Sequence, residues 1–256
     1  MAEWTLLAGF EDIQPFREEA DNGIIRIILN RPDRRNAMSV AMVESLLRLI
    51  DGRAGQCAGA ILLEGAGKGF CAGSDLTELA AMDNHDRGRF EADCGRLARM
   101  MMAHPRPIIA AVHGFAMGGG LTLAAACDIV VGTSEARWAL PEVPIGLFPA
   151  WGLEGVSRRI GMTRARRLSW GIDRLDGPLA AQWGLVDMLA EDPAMTALEQ
   201  GQRLAALPAS QVTMVKRYFS IDRTGQEADA AANALFLTAC GDDVAKASFA
   251  GRLSSR

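Results

Sequence analysis

Runs of consecutive apolar residues alternate along the first half of the chain with segments in which apolar residues recur every three or four positions. Four runs are typical of strands buried on both faces: residues 23–29, 58–63, 106–112 and 129–131. The segments 39–50 and 87–102 have the spacing of amphipathic helices, and Ser39 stands where an N-cap is expected. This alternation of strands and helices predicts parallel βαβ units.

The pattern becomes mostly helical after Ala150. Six helices are predicted there: residues 153–160, 164–170, 194–207, 210–219, 226–239 and 244–253. We place a boundary near Leu189, which gives a core of residues 1–189 that carries the functional site and a helical subdomain of residues 190–256. The subdomain is expected to pack on the core or on a neighbouring subunit.

The segment between Pro107 and Asp128 has the apolar character of a membrane span, since His113 is its sole ionisable residue. The glycines at 118–120 interrupt it, and its β-branched residues lie before them. A buried strand, a glycine turn and a short buried helix explain the same pattern better than a span does.

Composition excludes several classes of partner. The chain has 256 residues, of which 27 are Lys or Arg and 31 are Asp or Glu, so the net charge is −4. This balance indicates neither nucleic acid nor an anionic membrane as a partner. Five cysteines without a CxxC pair and three histidines do not form a zinc motif, so no metal is expected. The first residues lack a secretory signal, and we expect a cytoplasmic protein with reduced, buried cysteines.

Three familiar catalytic motifs are missing from the sequence. The Gly67-Lys68 pair lacks the upstream glycine and the following Ser or Thr of a phosphate-binding P-loop. Neither glycine-rich turn completes a GxGxxG fingerprint, and the chain contains no GxSxG nucleophile elbow.

Two glycine-bearing turns, at residues 65–76 and 113–121, each follow a predicted strand. Either turn alone is most simply a tight turn or a close packing contact. Together they allow one backbone N–H from each turn to point at a single oxygen, which is the geometry of an oxyanion hole. Farther along, Pro141 and Pro144 flank Glu142 in an apolar stretch, so its carboxyl is expected to be desolvated and suited to proton transfer. The alternative is an exposed loop glutamate.

Several stretches resemble motifs of the enoyl-CoA hydratase/isomerase (crotonase) family, in that family's order and spacing. They are residues 30–32, 36–39, 67–76, 105–114, 118–120 with 127–129, and 141–146. Gly161 and residues 180–187 extend the resemblance, which covers roughly residues 11 to 220. The resemblance implies an α/β fold, a crotonase-like spiral of ββα units with a C-terminal helical trimerisation region. It also implies self-association as a homotrimer or a dimer of trimers, and an acyl-CoA thioester as the substrate.

The resemblance also assigns roles to individual residues. It implies that the N–H groups of Ser74 and Gly119 form the oxyanion hole and that Glu142 carries the proton. Residues 74–77 would line the thioester path, which includes Asp75, Leu76 and Thr77, although Asp75 is expected to cap the short helix that follows. Coenzyme A is part of the substrate, so no separate cofactor is expected. Arg31, Arg34 and Arg35 are candidates for binding its phosphates.

The main departure from the family pattern is Thr122, which stands where hydratases of the family carry a second glutamate. A threonine can orient water or substrate but cannot act as a general base near pH 7, and no nearby acid offers an obvious replacement. We therefore rank enoyl-CoA isomerisation slightly above hydration. A lyase-type reaction and a catalytically weak acyl-CoA-binding scaffold are the alternatives. Trp151 either narrows the acyl pocket or packs against the helical subdomain.

Overall fold

The computed structural model describes residues 3–18, 23–220, 225–241 and 243–253. Nine strands lie in these ranges: β1 (Trp4–Leu6), β2 (Ile13–Glu18), β3 (Ile25–Leu29), β4 (Ile61–Gly65), β5 (Ile108–Val112), β6 (Phe115–Met117), β7 (Ile129–Gly132), β8 (Arg137–Ala139) and β9 (Met188–Leu189). Seven of them form one sheet in the order β1-β2-β3-β4-β5-β7-β9, and β6 and β8 form a second sheet.

The described helices lie mainly in the second half of the chain. They are α1 (Val40–Asp51), α2 (Arg53–Gln56), α3 (Leu76–Ala81), α4 (Asn84–Ala103), α5 (Gly119–Ala125), α6 (Leu153–Ser169), α7 (Gly177–Trp183), α8 (Pro193–Ala205), α9 (Ala209–Ser220), α10 (Gly225–Cys240) and α11 (Asp243–Leu253). Two short 3-10 helices span Pro32–Arg34 and Val143–Ile145.

Strand direction places the loops that matter for function at one edge of the large sheet. β1, β2 and β3 pair antiparallel, whereas β3, β4, β5, β7 and β9 pair parallel. Leu29 lies beside Gly65, and Glu64 beside Ala111, so β3, β4 and β5 end at the same edge. The segments that follow these strands therefore meet there, because parallel strands share the edge at which they end.

Alternation along the parallel strands divides the apolar residues between two faces. Ile61 and Leu63 of β4 point into the main core, to which α1 and α4 contribute, whereas Leu62 points to the opposite face. There α8 packs against β4, β5 and β7. A Cβ on Gly201 of α8 would lie 2.9 Å from Leu62 Cδ1, which shows how closely the helix approaches the sheet. Burial on both faces explains why these strands are continuous apolar runs.

The structure confirms the predicted α/β architecture and most of its elements, with bounds that shift by a few residues. Ser39 caps α1 by accepting a hydrogen bond from the backbone N–H of Met42, as the sequence predicts. The predicted helices 153–160 and 164–170 form α6, which is broken at Gly161, where φ is +75°. Sequence analysis did not detect β1, β2, β6, β8 or β9. Four of these strands have two or three residues, which is too short to show periodicity, and β2 contains Pro15 and several polar residues.

Two further expectations from the sequence can be compared with the described residues. No helix among them combines the length and the apolar character needed to cross a membrane. All five cysteines are free thiols, and four are buried as expected, but Cys57 at the end of α2 is exposed. The expectation that every cysteine is buried is therefore wrong for Cys57.

The C-terminal helices fold back onto their own chain. α10 packs along α4, and α11 packs on α3. Phe236 of α10 and Phe249 of α11 are buried in the main core as a result. This packing closes one side of the cavity that lies between α4, α5 and the loops at the sheet edge.

Candidate active site

The segment that follows β4 is held between two neighbouring segments by backbone hydrogen bonds. On one side, Met38 donates to the carbonyl of Gly73, and Asp75 donates to the carbonyl of Met38. On the other side, Met117 in β6 donates to the carbonyl of Cys71. These bonds fix the position of Ser74 between them, so its N–H is placed by backbone geometry rather than by a mobile side chain.

The amide nitrogens of Ser74 and Gly119 lie side by side. A Cβ built on Gly73 would lie 3.2 Å from the nitrogen of Gly119, and one built on Gly119 would lie 3.5 Å from the nitrogen of Ser74. Neither N–H donates to an acceptor within the described part of the chain. Gly119 is the first residue of α5, whose free N–H groups favour a negative charge. Two unpaired donors at this spacing can bind one oxygen atom.

Gly118, which precedes this helix, adopts a conformation that L side chains rarely reach, with φ of +52°. A Cβ on Gly118 would lie 2.6 Å from Oε1 of Glu142. The carboxyl group of Glu142 therefore lies directly against the turn that carries the Gly119 amide. Glycine at position 118 permits both the turn and the close approach of this carboxyl.

Glu142 sits at the start of the 3-10 helix Val143–Ile145, and its carbonyl accepts hydrogen bonds from Ile145 and Leu147. The residue as a whole is partly exposed, but Oε2 of its carboxyl is buried and has no hydrogen-bond partner among the described residues. Burial raises the pKa of Glu142 to about 7. A carboxyl with this pKa can accept and release a proton near neutral pH, as a proton-transferring group must.

Thr122 is buried one turn into α5, and its hydroxyl donates to the carbonyl of Gly119 at 3.1 Å. Gly152 packs against it, since a Cβ at Gly152 would lie 2.5 Å from Thr122 Cβ. The hydroxyl thus points its proton into its own helix, and its remaining lone pairs are available to a water or ligand in the cavity. The side chain contributes no acid or base.

These groups surround a cavity that encloses about 540 Å³ of empty space, counting the part that opens to solvent. Ser74, Gly119, Thr122 and Glu142 all line it. Its remaining walls are largely apolar and include Leu76, Leu79, Ile145, Phe148, Trp151 and Phe236. A mostly apolar cavity with a few convergent polar groups is typical of a small-molecule site.

The other residues that the sequence proposes for the substrate path fall in different places. Trp151 is buried in the cavity wall, and Leu76 also lines the cavity. Asp75 caps α3 through Oδ1, which accepts hydrogen bonds from the N–H groups of Thr77 and Glu78. Thr77 lies outside the set of residues that line the cavity. Asp75 therefore caps α3 and, like Thr77, is not among the residues that line the cavity.

Arg31 is engaged by three carboxylates. Its guanidinium contacts Asp12 at 3.2 Å, Asp75 at 3.0 Å and Glu78 at 3.5 Å, and its side chain is 15% exposed. These ion pairs tie the first turn to α3, and they leave little of the guanidinium for a phosphate. Arg34 and Arg35, by contrast, are exposed on the same turn.

Helix α4 adds an acidic residue that sequence analysis missed. Glu91 is 4% exposed and lines the cavity that Glu142 also lines. Desolvation raises the pKa of Glu91 to about 8, and the charge of Glu142 adds to the effect. The signal available in the sequence was its position, because residue 91 continues the buried stripe of Cys94, Ala98 and Met101. The expectation that no nearby acid replaces the glutamate missing at Thr122 overlooked this residue.

The architecture and the cavity together define a crotonase-type fold with a small-molecule site. The family model for enoyl-CoA hydratase/isomerase matches residues 19–246. The chain therefore belongs to the enoyl-CoA hydratase/isomerase family and is an enzyme of that family.

Curated relatives and solved structures agree with this assignment. The chain is 37% identical over 218 residues to enoyl-CoA hydratase domain-containing protein 2, mitochondrial, of Mus musculus, a match that covers 82% of this chain and 73% of that one. It is 32% identical over 180 residues to a short-chain-enoyl-CoA hydratase of Clostridium acetobutylicum, with 68% and 67% covered. A crystal structure of an enoyl-CoA hydratase/isomerase from Mycobacterium paratuberculosis superposes with a TM-score of 0.81 at 26% identity, covering 100% of this chain and 99% of that one.

Proposed function

We propose that this protein binds an acyl-CoA thioester with the thioester carbonyl oxygen between the N–H groups of Ser74 and Gly119. The observation that carries the proposal is that these two amides are adjacent and unpaired within the described residues. They would stabilise the negative charge that forms on the oxygen when a proton leaves C2. Loss of one such donor typically lowers kcat by ~10²–10³.

In this proposal Glu142 carries the proton. Its carboxyl lies against Gly118 and hence beside the oxyanion hole, where C2 of a bound thioester would be placed. Isomerisation of a 3-enoyl thioester to the 2-enoyl thioester requires removal of a proton at C2 and delivery of one at C4. We rank this reaction first, because Thr122 provides no carboxylate to activate water.

Hydration of a 2-enoyl thioester is the second candidate. It is favoured by the similarity to the Clostridium acetobutylicum protein, whose name states that activity. A lyase-type reaction and acyl-CoA binding with little catalysis rank below both. The desolvated position of the Glu142 carboxyl argues against a protein that only binds acyl-CoA. Burial of a carboxyl group is unfavourable, and binding alone does not require it.

The phosphates of coenzyme A are proposed to bind at Arg34 and Arg35. Both side chains are exposed. Their turn is joined to the loop after β4, since the backbone N–H of Ala72 donates to the carbonyl of Arg35 and the Asn36 amide donates to the carbonyls of Ala66 and Gly69. Coenzyme A would enter as part of the substrate, and the reaction needs no other cofactor.

Self-association as a homotrimer or a dimer of trimers is also proposed. It is supported by exposed apolar side chains on α9, where Met214 is 65% exposed and Val215 is 61% exposed. Single exposed apolar residues are common, but neighbouring ones on a helix favour a contact with another chain. Light scattering coupled to size-exclusion chromatography would detect a trimer or hexamer, and a monomer at micromolar concentration would contradict the proposal.

The test of the proposed reaction is turnover of 3-enoyl- and 2-enoyl-CoA thioesters by the wild type and by Glu142→Gln. We expect isomerisation by the wild type and at least a ~10²-fold lower kcat in the variant. Glu135→Gln is the matched control, because Glu135 is exposed in the turn between β7 and β8. Tight binding of coenzyme A without turnover of any thioester would indicate a binding protein. Turnover that survives in Glu142→Gln would refute the role of Glu142.

A further inference from the structure

Glu91 of α4 lines the cavity and is 4% exposed. Among the described residues, no hydrogen bond or ion pair to its carboxyl is present. Burial of a carboxyl in this way is costly unless the group is protonated or is bound by a ligand. The carboxyl of Glu91 is therefore available to form a hydrogen bond with a ligand in the cavity.

Among the residues that the structure describes, no cation forms an ion pair with Glu91. Arg87, one turn earlier on α4, donates through Nε to the carbonyl of Leu79 at 2.8 Å, and its guanidinium lies 4.5 Å from the ring centre of Phe249. Burial raises the pKa of the thiols of Cys94 and Cys240, and the charge of Glu91 raises it further. The charge of Glu142 in turn adds to the effect of burial in raising the pKa of Glu91. Two carboxyl groups thus share one desolvated cavity, and repulsion disfavours the state in which both are ionised.

The two acids approach the cavity from different walls. Glu142 belongs to the loop after β8 and lies against Gly118, beside the oxyanion hole. Glu91 belongs to α4, which packs against α1 and α10 and takes no part in the hole. A ligand whose carbonyl is held at the hole therefore meets Glu142 near its C2 and can meet Glu91 at a later carbon of the acyl chain.

We propose that Glu91 is a second catalytic residue, the acid that delivers a proton to C4 while Glu142 removes one from C2. This inference rests on the proposed function. The Glu142 carboxylate takes the C2 proton, the C2–H electron pair moves into the dienolate, and the thioester oxygen is held by the two amides. The Glu91 carboxylic acid then gives its proton to C4, and the double bond forms between C2 and C3. Glu142 ends protonated and Glu91 ends ionised, so before the next turnover Glu142 releases its proton to water and Glu91 takes a proton from water.

The assignment of donor and acceptor follows from the two environments. Glu142 lies against Gly118 beside the proposed oxyanion hole, where C2 of a bound thioester would be placed, so it is assigned as the base. Burial raises the pKa of both carboxyls, which favours the protonated form that Glu91 needs as the acid. An isomerase that used a single glutamate would have to carry the same proton from C2 to C4.

Deuterium transfer tests the two-acid reaction, because a single glutamate that keeps the proton it removes would carry deuterium from C2 to C4. The substrate is a 3-enoyl-CoA thioester with deuterium at both C2 positions, converted in ordinary water and sampled at low conversion by mass spectrometry and NMR. With two carriers, the product made by the wild type has hydrogen and no deuterium at the new C4 position. Transfer of deuterium from C2 to C4 by the wild type would overturn the proposal.

The variant Glu91→Gln keeps the shape of the side chain but cannot release a proton in this way. We expect its kcat for isomerisation to fall by ~10²-fold, and its residual product to carry deuterium at C4 because Glu142 then acts alone. The control is Asp93→Asn, on the same helix, whose carboxylate pairs with Arg96 near the surface at 3.2 Å. The control is expected to match the wild type in rate and labelling.

Failure of this inference is distinguishable from failure of the proposed function. If the wild type and Glu91→Gln isomerise the substrate equally fast with the same labelling, Glu91 is not a proton carrier and the proposed function stands. If the wild type isomerises no 3-enoyl thioester, the proposed function fails and the role of Glu91 fails with it. Deuterium at C4 of the wild-type product would overturn the proposal without any variant, so the proposal stays falsifiable even if Glu91→Gln does not fold.

Discussion

The indole ring of Trp151 lies against the α-carbon of Gly119, since a Cβ at position 119 would lie 3.0 Å from Trp151 Cζ2. The same Cβ would lie 3.4 Å from Sδ of Met38 and 3.5 Å from the amide nitrogen of Ser74. The proposed oxyanion hole is thus bounded by an aromatic wall on one side and the Ser74 amide on the other. A side chain at position 119 would occupy the space between them.

Substitution of Gly119 by Ala is expected to lower kcat by ~10²-fold or more, because the methyl group crowds both donors of the proposed hole. Gly119 has no positive φ, so the backbone tolerates alanine and the variant should fold. Steady-state kinetics and circular dichroism would check both expectations.

Gly251→Ala is the matched control for that substitution. A Cβ at Gly251 meets nothing within 4 Å, and the position lies in α11. It should leave kcat unchanged. A Gly119→Ala variant with wild-type kcat would contradict the placement of the hole.

The pH dependence of isomerisation should report both acids. We expect kcat/KM to rise as pH increases through about 7, where Glu142 loses its proton, and to fall above about 8, where Glu91 loses its own. Removal of Glu91 in Glu91→Gln should abolish the alkaline fall and leave the acidic limb in place. A profile of the variant that still falls above pH 8 would show that another group causes it.

Both acids should also make the fold less stable as pH rises. Burial raises the pKa of each carboxyl above its ordinary value, so between about pH 4.5 and about pH 8 the folded state binds more protons than the unfolded state. The free energy of unfolding of the wild type therefore falls progressively across that range. Glu91→Gln and Glu142→Gln each lack one of these carboxyls, so the difference in Tm between variant and wild type should be more positive at pH 9 than at pH 5. A change of 1 kcal/mol corresponds to about 2–4 °C in Tm. Equal pH dependence in the wild type and both variants, measured by calorimetry, would contradict this.

Lys216 joins α9 to the core through three oxygens. Its ammonium donates to the carbonyls of Met101 and Arg106, at 3.0 Å and 2.9 Å, and to Asp128 Oδ2 at 2.6 Å. Lys216→Met should lower the free energy of unfolding by about 3–5 kcal/mol, because it removes a buried charge from its partners.

The matched control is Lys246→Met, since Lys246 is 62% exposed on α11. Urea titration would measure both variants. A cost for Lys216→Met no larger than that of the control would show that the buried pair contributes little.

Arg31 and Arg35 should differ in what they support, although both lie on the turn after β3. Arg35→Ala should raise KM for a CoA thioester several-fold and leave KM for the corresponding pantetheine thioester unchanged, because only CoA carries the distal phosphates. Arg31→Ala should lower thermal stability, since three carboxylates lose their cation. Equal effects of Arg35→Ala on both thioesters would contradict phosphate binding there.

Local chemistry in the sequence was sufficient to predict much of the fold and several residues of the candidate site. The apolar runs predict the parallel strands, because burial on both faces removes polar positions. Ser39 and Asp75 predict helix starts, because their side chains bond backbone N–H groups two or three residues away. The glycine turns and the proline-flanked Glu142 can be recognised in the sequence for the same reason, because each is defined by residues that are adjacent along the chain.

Only the tertiary structure decided the features that depend on distant segments. Arg31 is a plausible phosphate ligand by residue type, but its partners Asp12, Asp75 and Glu78 come from three other places in the chain. Glu91 belongs to a helix that periodicity predicts, yet nothing local shows that its carboxyl opens into the cavity of Glu142. Periodicity reports which face of a helix is buried, whereas the packing of that face against other elements decides what it is buried against.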